Sequence, residues 1–162
     1  AAKAQAPSLA GAYSTNLRTV FITLINYWDW VGSHPNPNLV QKFMWPTSNV
    51  YRYWVWFNRA LVKRGWRDYP DPTQVDFLEV MQPPSELGGL SGVVDVVINA
   101  HKDPYLAGRG RIVGYSGGGG LTAVTVSLGR ESVHGRFRIL TWHAFQPTGG
   151  IAYWERHLEP RS

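Results

Sequence analysis

The stretch GVVDVVINAHKDPYLAGRGRIVGYSGGGGLTAVTVSLG, residues 92–129, decides the fold. It is rich in β-branched residues and broken by glycine and proline, which is the pattern of strands separated by turns. GVVDVVINA (92–100) reads as one strand. GRGRIVGYS (108–116) and LTAVTVSLG (121–129) read as two more, joined by the glycines at 117–120. Downstream, GRFRILTWHAFQ (135–146) alternates without a break. Its odd positions, Phe137, Ile139, Thr141, His143 and Phe145, are expected on one face. Arg136, Arg138, Leu140 and Trp142 are expected on the other. IAYWERH (151–157) is expected to be the last strand.

Upstream the periodicity changes. In LRTVFITLINYWDWVG (17–32), Leu17, Val20, Leu24, Trp28 and Val31 recur at helical spacing, and Gly32 is placed to stop the helix. SHPNPN (33–38) is a turn-rich connector, and LVQKFMW (39–45) fits neither period. PTSNVYRYWVWFNRALVKRG (46–65) is the strongest helix. Ser48 or Asn49 can cap it, Val50, Trp54, Phe57 and Leu61 form its apolar stripe, and Lys63, Arg64 and Gly65 suit its C-terminus. DYPDPTQVDFLEVMQPP (68–84) has a helix-start signature at Pro72 but alternates from Val75 onward, and the strand reading is favoured. Helices first and a meander last predict a single α+β domain, with a helical part over about 8–66 and a β part over about 73–158.

Composition excludes several classes. The chain has 162 residues and 44% apolar content, enough for a core and too much for a disordered chain. It has no cysteine, so disulfides and thiolate metal sites are excluded. The longest apolar run, Thr19–Val31, is interrupted by Asn26 and Asp29 and is too short to span a bilayer. No signal peptide is visible, and a cytoplasmic or virion location is expected. The net charge is +5, with arginine supplying 12 of the 16 basic residues, and there are eight tryptophans. Arginine's planar fork suits phosphates and carboxylates, and tryptophan is favoured in pockets and interfaces.

The motifs with chemical content are few. Gly114-Tyr115-Ser116-Gly117-Gly118 matches G-x-S-x-G, but a nucleophile elbow needs a helix after the serine, and the β-branched LTAVTVSL points to a glycine-rich turn instead. His101, Asp103, His134 and His157 have no metal-ligand spacing, and neither a metal nor a cofactor is expected. His143, set among apolar strand positions, is a candidate general base or acid with Asp95 as its partner and Tyr115 to polarise a substrate oxygen. Arg109 and Arg111 share a strand face, as do Arg136 and Arg138. With Trp142 for base stacking and Arg52, Arg59 and Lys63 on the outer face of the second helix, they could hold nucleic acid, although no recognised nucleic-acid motif is present. Trp56, pointing away from the core stripe, is expected to be partly exposed and to favour subunit contacts.

The end of the chain carries a family resemblance. Phe145, then Thr148-Gly149-Gly150-Ile151, then Trp154-Glu155-Arg156-His157-Leu158-Glu159-Pro160 resembles the last hairpin of the nuclear-transport-factor-2-like superfamily, in its limonene-epoxide-hydrolase and polyketide-cyclase branches. NRALVKRGWRDYPD (58–71) is similar to that superfamily's third helix and its Pro-Asp end. The resemblance implies a bent antiparallel sheet wrapped on helices as a cone around an apolar pocket. Trp54, Phe137, Ile139 and Phe145 would then form the apolar wall of a site for a small apolar molecule, and the reaction would be a cofactor-free isomerisation, cyclisation or hydrolysis. This chain departs from the pattern in two places. The stretch before the meander is long, and Glu159 stands where the family has aspartate. The Asp-Arg-Asp set of the epoxide hydrolases has no clear match, though Asp95 and Arg111 lie on expected strands. The alternative expectation is a basic, aromatic-rich, self-associating subunit of a virion or nucleoprotein filament.

Overall fold

In the computed structural model, which describes residues 5–70, 72–116 and 120–145, two helices pack on antiparallel sheet. Helix α1 spans Leu17–Ser33. It starts where the Asn16 side chain accepts hydrogen bonds from the backbone N–H groups of Arg18 and Thr19, which satisfies donors that a helix start leaves open. Gly32 does not end it. A side chain at position 32 would come within 2.9 Å of the Asp68 carbonyl oxygen, so glycine here lets the helix lie directly against the first strand. Residues 37–42 form a 3-10 turn. Helix α2 spans Asn49–Arg64, capped by Ser48, whose hydroxyl accepts from the Tyr51 N–H, and closed by Gly65 in the left-handed conformation at φ 69°.

Among the described residues seven strands follow: β1 Arg67–Tyr69, β2 Gln74–Gln82, β3 Ser91–Ala100, β4 Tyr105–Gly108, β5 Arg111–Tyr115, β6 Gly120–Gly129 and β7 Arg138–Phe145. They make two antiparallel sheets, β2-β3-β6-β7 and β1-β4-β5. The result is a single α+β domain. It is not the continuous meander that the sequence pattern predicts. β3 pairs directly with β6 along ten residue pairs, from Ser91↔Gly129 to Ala100↔Gly120. The β4–β5 hairpin leaves the large sheet and pairs with β1. Its turn is Arg109-Gly110, both at positive φ (54° and 75°), the two-residue geometry that matches strand twist.

The core lies between α1, the residues around Phe43, and the inner face of the large sheet: Val94, Val96, Val124, Val126, Leu128 and Ile139. Phe43–Trp45 runs along the free side of β7, with the Ile139 N–H donating to the Phe43 carbonyl at 2.9 Å and the Trp45 N–H to the Ile139 carbonyl at 2.8 Å. That covers a strand edge otherwise open to intermolecular pairing.

One correction concerns β7. Ser127 pairs with Thr141 but Leu128 with Ile139, so Leu140 is an extra residue, a β-bulge. The bulge changes the phase of the strand. Phe137 and Ile139 point into the core before it, and Trp142 points into the core after it. His143 and Thr141 therefore lie on the outer face, apart from Phe137 and Ile139. The expected final hairpin, with Thr148-Gly149-Gly150-Ile151 and Trp154 to Pro160, lies outside the described residues.

Candidate functional site

A cavity of about 200 Å³ lies where α1, α2 and the two sheets meet. Helix α1 contributes Trp28, Asp29 and Gly32. Helix α2 contributes Trp54, Phe57 and Asn58. Asp68 enters from β1, Thr73 and Ile98 from β2's approach and β3, Ser116 from the end of β5, and Trp142 from β7. The aromatic walls brace one another edge to face. Trp28 stands 5.0 Å from Trp54 at 81° and 5.0 Å from Trp142 at 73°, and Trp54 stands 5.2 Å from Phe57 at 75°. This geometry is the one aromatic quadrupoles prefer, and it fixes the shape of the wall.

The polar groups arise from α1, α2, β1 and the segments just before β2 and just after β5. Asn58 is buried, yet its role is structural: its amide donates to the Trp54 carbonyl at 2.9 Å, and its oxygen accepts from the Asn36 N–H at 3.1 Å. Asp29 accepts from Thr73 twice, from the backbone N–H at 3.0 Å and from the hydroxyl at 3.2 Å, which ties α1 to the start of β2. Asp68 is 7% exposed. Its Oδ1 accepts the Ser116 hydroxyl hydrogen bond at 2.6 Å. Burial raises the Asp68 pKa above the usual carboxylate range, and the Ser116 hydrogen bond opposes that rise without cancelling it. No arginine, lysine or histidine lines the cavity among the described residues, although the chain as a whole is strongly basic.

Several residues singled out from the sequence sit elsewhere. Trp54 does line the cavity. Phe137 and Ile139 are closed core residues with no accessible surface. His143 and Asp95 share a row across the outer face of the large sheet, Glu79↔Asp95↔Thr125↔His143. Thr125 stands between them and donates to Asp95 at 2.7 Å. Two strand spacings separate His143 from Asp95, about 10 Å of backbone distance, so they form no direct pair. Phe145 lies on the same outer face. Tyr115 is 67% exposed at the end of β5.

The arginine cluster is likewise dispersed. Arg138 donates to Glu131 at 3.0 Å and to the Gln41 carbonyl at 3.2 Å, and its guanidinium lies over the Trp45 ring. Arg136 stands near enough to buried Tyr27 to oppose the upward shift that burial gives that phenol. Trp142 packs on Phe21 and Trp28 and is no stacking platform for bases. Arg109 lies in the exposed β4–β5 turn and Arg111 begins β5, while Arg52, Arg59 and Lys63 are exposed on α2.

The sequence contained signals for two of the cavity's polar groups, Asp29 and Ser116. Asp29 is the charge that interrupts the longest apolar run, and Ser116 is the serine of the G-x-S-x-G match, now the partner of Asp68. The next described element after it, from Gly120, is a strand, β6, and not a helix, but the expected glycine-rich hairpin is not formed: β5 pairs with β4 and β6 with β3, in different sheets. Among the described residues no three potential metal ligands stand together. No helix of the described residues is long and apolar enough to cross a membrane.

No protein-family model matches the chain. No curated protein matches it. Among solved structures, the intermembrane space region of the chloroplast protein ARC6 is similar in fold, with a TM-score of 0.51 over 75% of this chain and 91% of that one at 7% sequence identity. At that identity the likeness concerns the fold alone.

Proposed function

We propose that this chain binds a small, largely apolar molecule in the cavity between α1, α2 and the two sheets, on a scaffold of the nuclear-transport-factor-2-like kind with its cone-shaped pocket. The observation that carries the reading is Asp68, a buried carboxyl beside a wall of braced tryptophans. Polar groups converging on an apolar cavity are the usual signature of a ligand site. Catalysis there would be cofactor-free proton transfer, with Asp68 in place of His143 and Asp95. A carboxyl whose pKa burial raises is a candidate proton donor and acceptor, and the Ser116 hydroxyl hydrogen-bonds it. The test is a screen of neutral alicyclic and aromatic compounds by thermal shift and calorimetry, run in parallel on Ile98→Phe, which fills the cavity from β3. The expected result is a compound that stabilises the parent and leaves Ile98→Phe unmoved. A binder indifferent to Ile98→Phe, or no binder in the set, overturns the reading.

A second reading rests on the outer face of α2. Trp56 is 63% and Tyr53 is 54% exposed, with rings 5.8 Å apart, and Arg52, Arg59 and Lys63 share that face at helical spacing. Cations beside exposed rings suit a phosphate backbone with stacked bases. Binding of a single-stranded oligonucleotide that weakens on Arg59→Ala/Lys63→Ala, with a salt slope shallower by about one to two units, would support it. Absence of binding at low salt removes it.

A further inference from the structure

Asp68 is a buried acid with no cationic partner among the described residues. Among the described residues its one hydrogen-bond partner is the neutral hydroxyl of Ser116. Its cross-strand neighbour on β4 is Leu106. The other elements around the cavity bring acid, neutral polar or apolar groups: Asp29 and Trp28 from α1, Trp54 and Asn58 from α2, Thr73 before β2, Ile98 from β3, Trp142 from β7. A carboxylate taken out of water without a countercharge is costly, and proteins ordinarily pair it. The chain has 16 lysines and arginines to choose from, and none of the described ones lines this cavity.

The same walls are the groups that attract a soft cation. Indole faces carry negative quadrupole density and hold ammonium and quaternary ammonium groups, most strongly when water is excluded. Size is also restrictive. A dry apolar cavity of about 150 Å³ accepts benzene, so one of about 200 Å³ accepts a compact head group and little more.

We propose that the ligand is an organic cation, with a compact alkylammonium or quaternary ammonium head seated against Trp28, Trp54 and Trp142 and Asp68 as its countercharge. This rests on the cavity reading and narrows its ligand class. The bound cation favours the ionised carboxyl, so binding takes up the charge that burial alone disfavours. Asp29 and Asp68 are the titratable groups that face the ligand from the described elements, and both favour a cation when ionised.

The test compares choline with 3,3-dimethylbutan-1-ol, its neutral counterpart of nearly the same shape, by calorimetry on the full chain. Choline is expected to bind at least tenfold more tightly at neutral pH. Asp68→Asn is expected to remove that preference while leaving the alcohol's affinity within about twofold. Where Asp68→Asn fails to fold, acidification of the parent serves instead: choline affinity falls as Asp68 takes up its proton, and alcohol affinity stays level. Equal affinities, or tighter binding of the alcohol, overturn the cation inference and leave the cavity reading standing. Choline binding unaffected by both Asp68→Asn and acidification also overturns it. If choline is silent while a neutral compound from the cavity screen binds, the cation inference alone falls. If neither probe binds and that screen is empty, both readings fall.

Discussion

Asp68 and Asp95 accept the same kind of hydrogen bond and live in different solvents. Each carboxylate accepts one hydroxyl hydrogen bond, Asp68 from Ser116, just past the end of β5, at 2.6 Å and Asp95 from Thr125 on the adjacent β6 at 2.7 Å. Asp95 is half-buried on the outer face of the large sheet, between Glu79 on one side and Thr125 and His143 on the other. Asp68 is closed in beneath α1, at the spot where Gly32 admits the strand. What separates them is water, not bonding. A hydroxyl donor stabilises a carboxylate modestly, whereas removal of solvent penalises the charged form directly. A candidate acid is therefore identified by where the backbone buries it, and the residue type and its neighbours in sequence say less.

The largest expected effect comes from removing the wall that makes the two sites different. Trp28 contacts Phe43, Trp54 and Trp142 at once. Trp28→Ala should cost about 3–5 kcal/mol, the range for large aromatic deletions from packed sites, read from urea denaturation. It should also admit water to Asp68 and draw that carboxyl back toward the ordinary range, visible in a carbon-detected NMR titration. A cost below about 1 kcal/mol, against that range, would mean that the tryptophan cluster is not a supporting wall.

The aspartates can then be compared directly. In Asp68→Asn the amide oxygen still accepts from Ser116, so the change isolates the charge. The folded-state pKa of Asp68 is raised. Between the unfolded value, about 3.9, and that raised value, the folded chain holds a proton that the unfolded chain has lost. Stability of the parent therefore falls as pH rises through this window, and the full penalty persists above it. Asp68→Asn should be more stable than the parent at neutral pH, and the gap should close on acidification below the ordinary aspartate range. Asp95→Asn should stay within about 0.5 kcal/mol of the parent, as for most solvated positions. Thermal melts from pH 3 to 8 measure both, and a pH-independent difference for Asp68→Asn would remove the basis for setting the two acids apart.

The contrast also explains what could be read in the sequence. Helices α1 and α2 follow from apolar stripes and caps, and β2, β3, β6 and β7 from β-branched alternation, because these are local signals. The placement of β4 and β5 is not local. The glycines after Ser116 look like a hairpin link, yet β6 returns to β3, and β1 has only three residues, too few for a period. The bulge at Leu140 left the alternation of GRFRILTWHAFQ unbroken while reversing which residues face inward. His143 was thereby moved to the outer face and Trp142 to the core. Asp29 was visible as a charge within an apolar run. Asp68 was not, because nothing in Trp66-Arg67-Asp68-Tyr69 distinguishes a buried acid from an exposed one.

A smaller effect is expected where a charge is buried on the outer side of β7. The Arg138 side chain is 13% exposed, but its ion-pair partner Glu131 is 77% exposed. Such a pair contributes little once solvent screening is counted. The guanidinium stacked over the Trp45 ring and the hydrogen bond to the Gln41 carbonyl matter more. Arg138→Ala should cost about 1 kcal/mol, and Glu131→Ala a few tenths at most. Raising the salt concentration should barely alter either value. A strongly salt-dependent loss in both variants would make the ion pair the main contributor and return Arg138 to the set of functional charges.

The smallest expected effect lies on the tryptophan that the fold leaves outside. Trp56 shares helix α2 with Trp54, two residues apart, and the 3.6-residue turn sends them to opposite sides. Trp54 closes the cavity, and Trp56 remains largely in water. Trp56→Ala should change stability by less than about 0.5 kcal/mol in the isolated chain, and alanine's better helix propensity offsets part of any loss of contact with Tyr53. The measurement gains force when it is repeated across protein concentration. A monomer gives the same small difference at every concentration. An assembling chain gives a Trp56→Ala deficit that grows with concentration, because the ring is then buried between copies and association adds to the stability of the parent. A growing deficit would favour the subunit reading of α2's outer face, while a constant one would leave the two tryptophans divided as the fold divides them, one for the cavity and one for water.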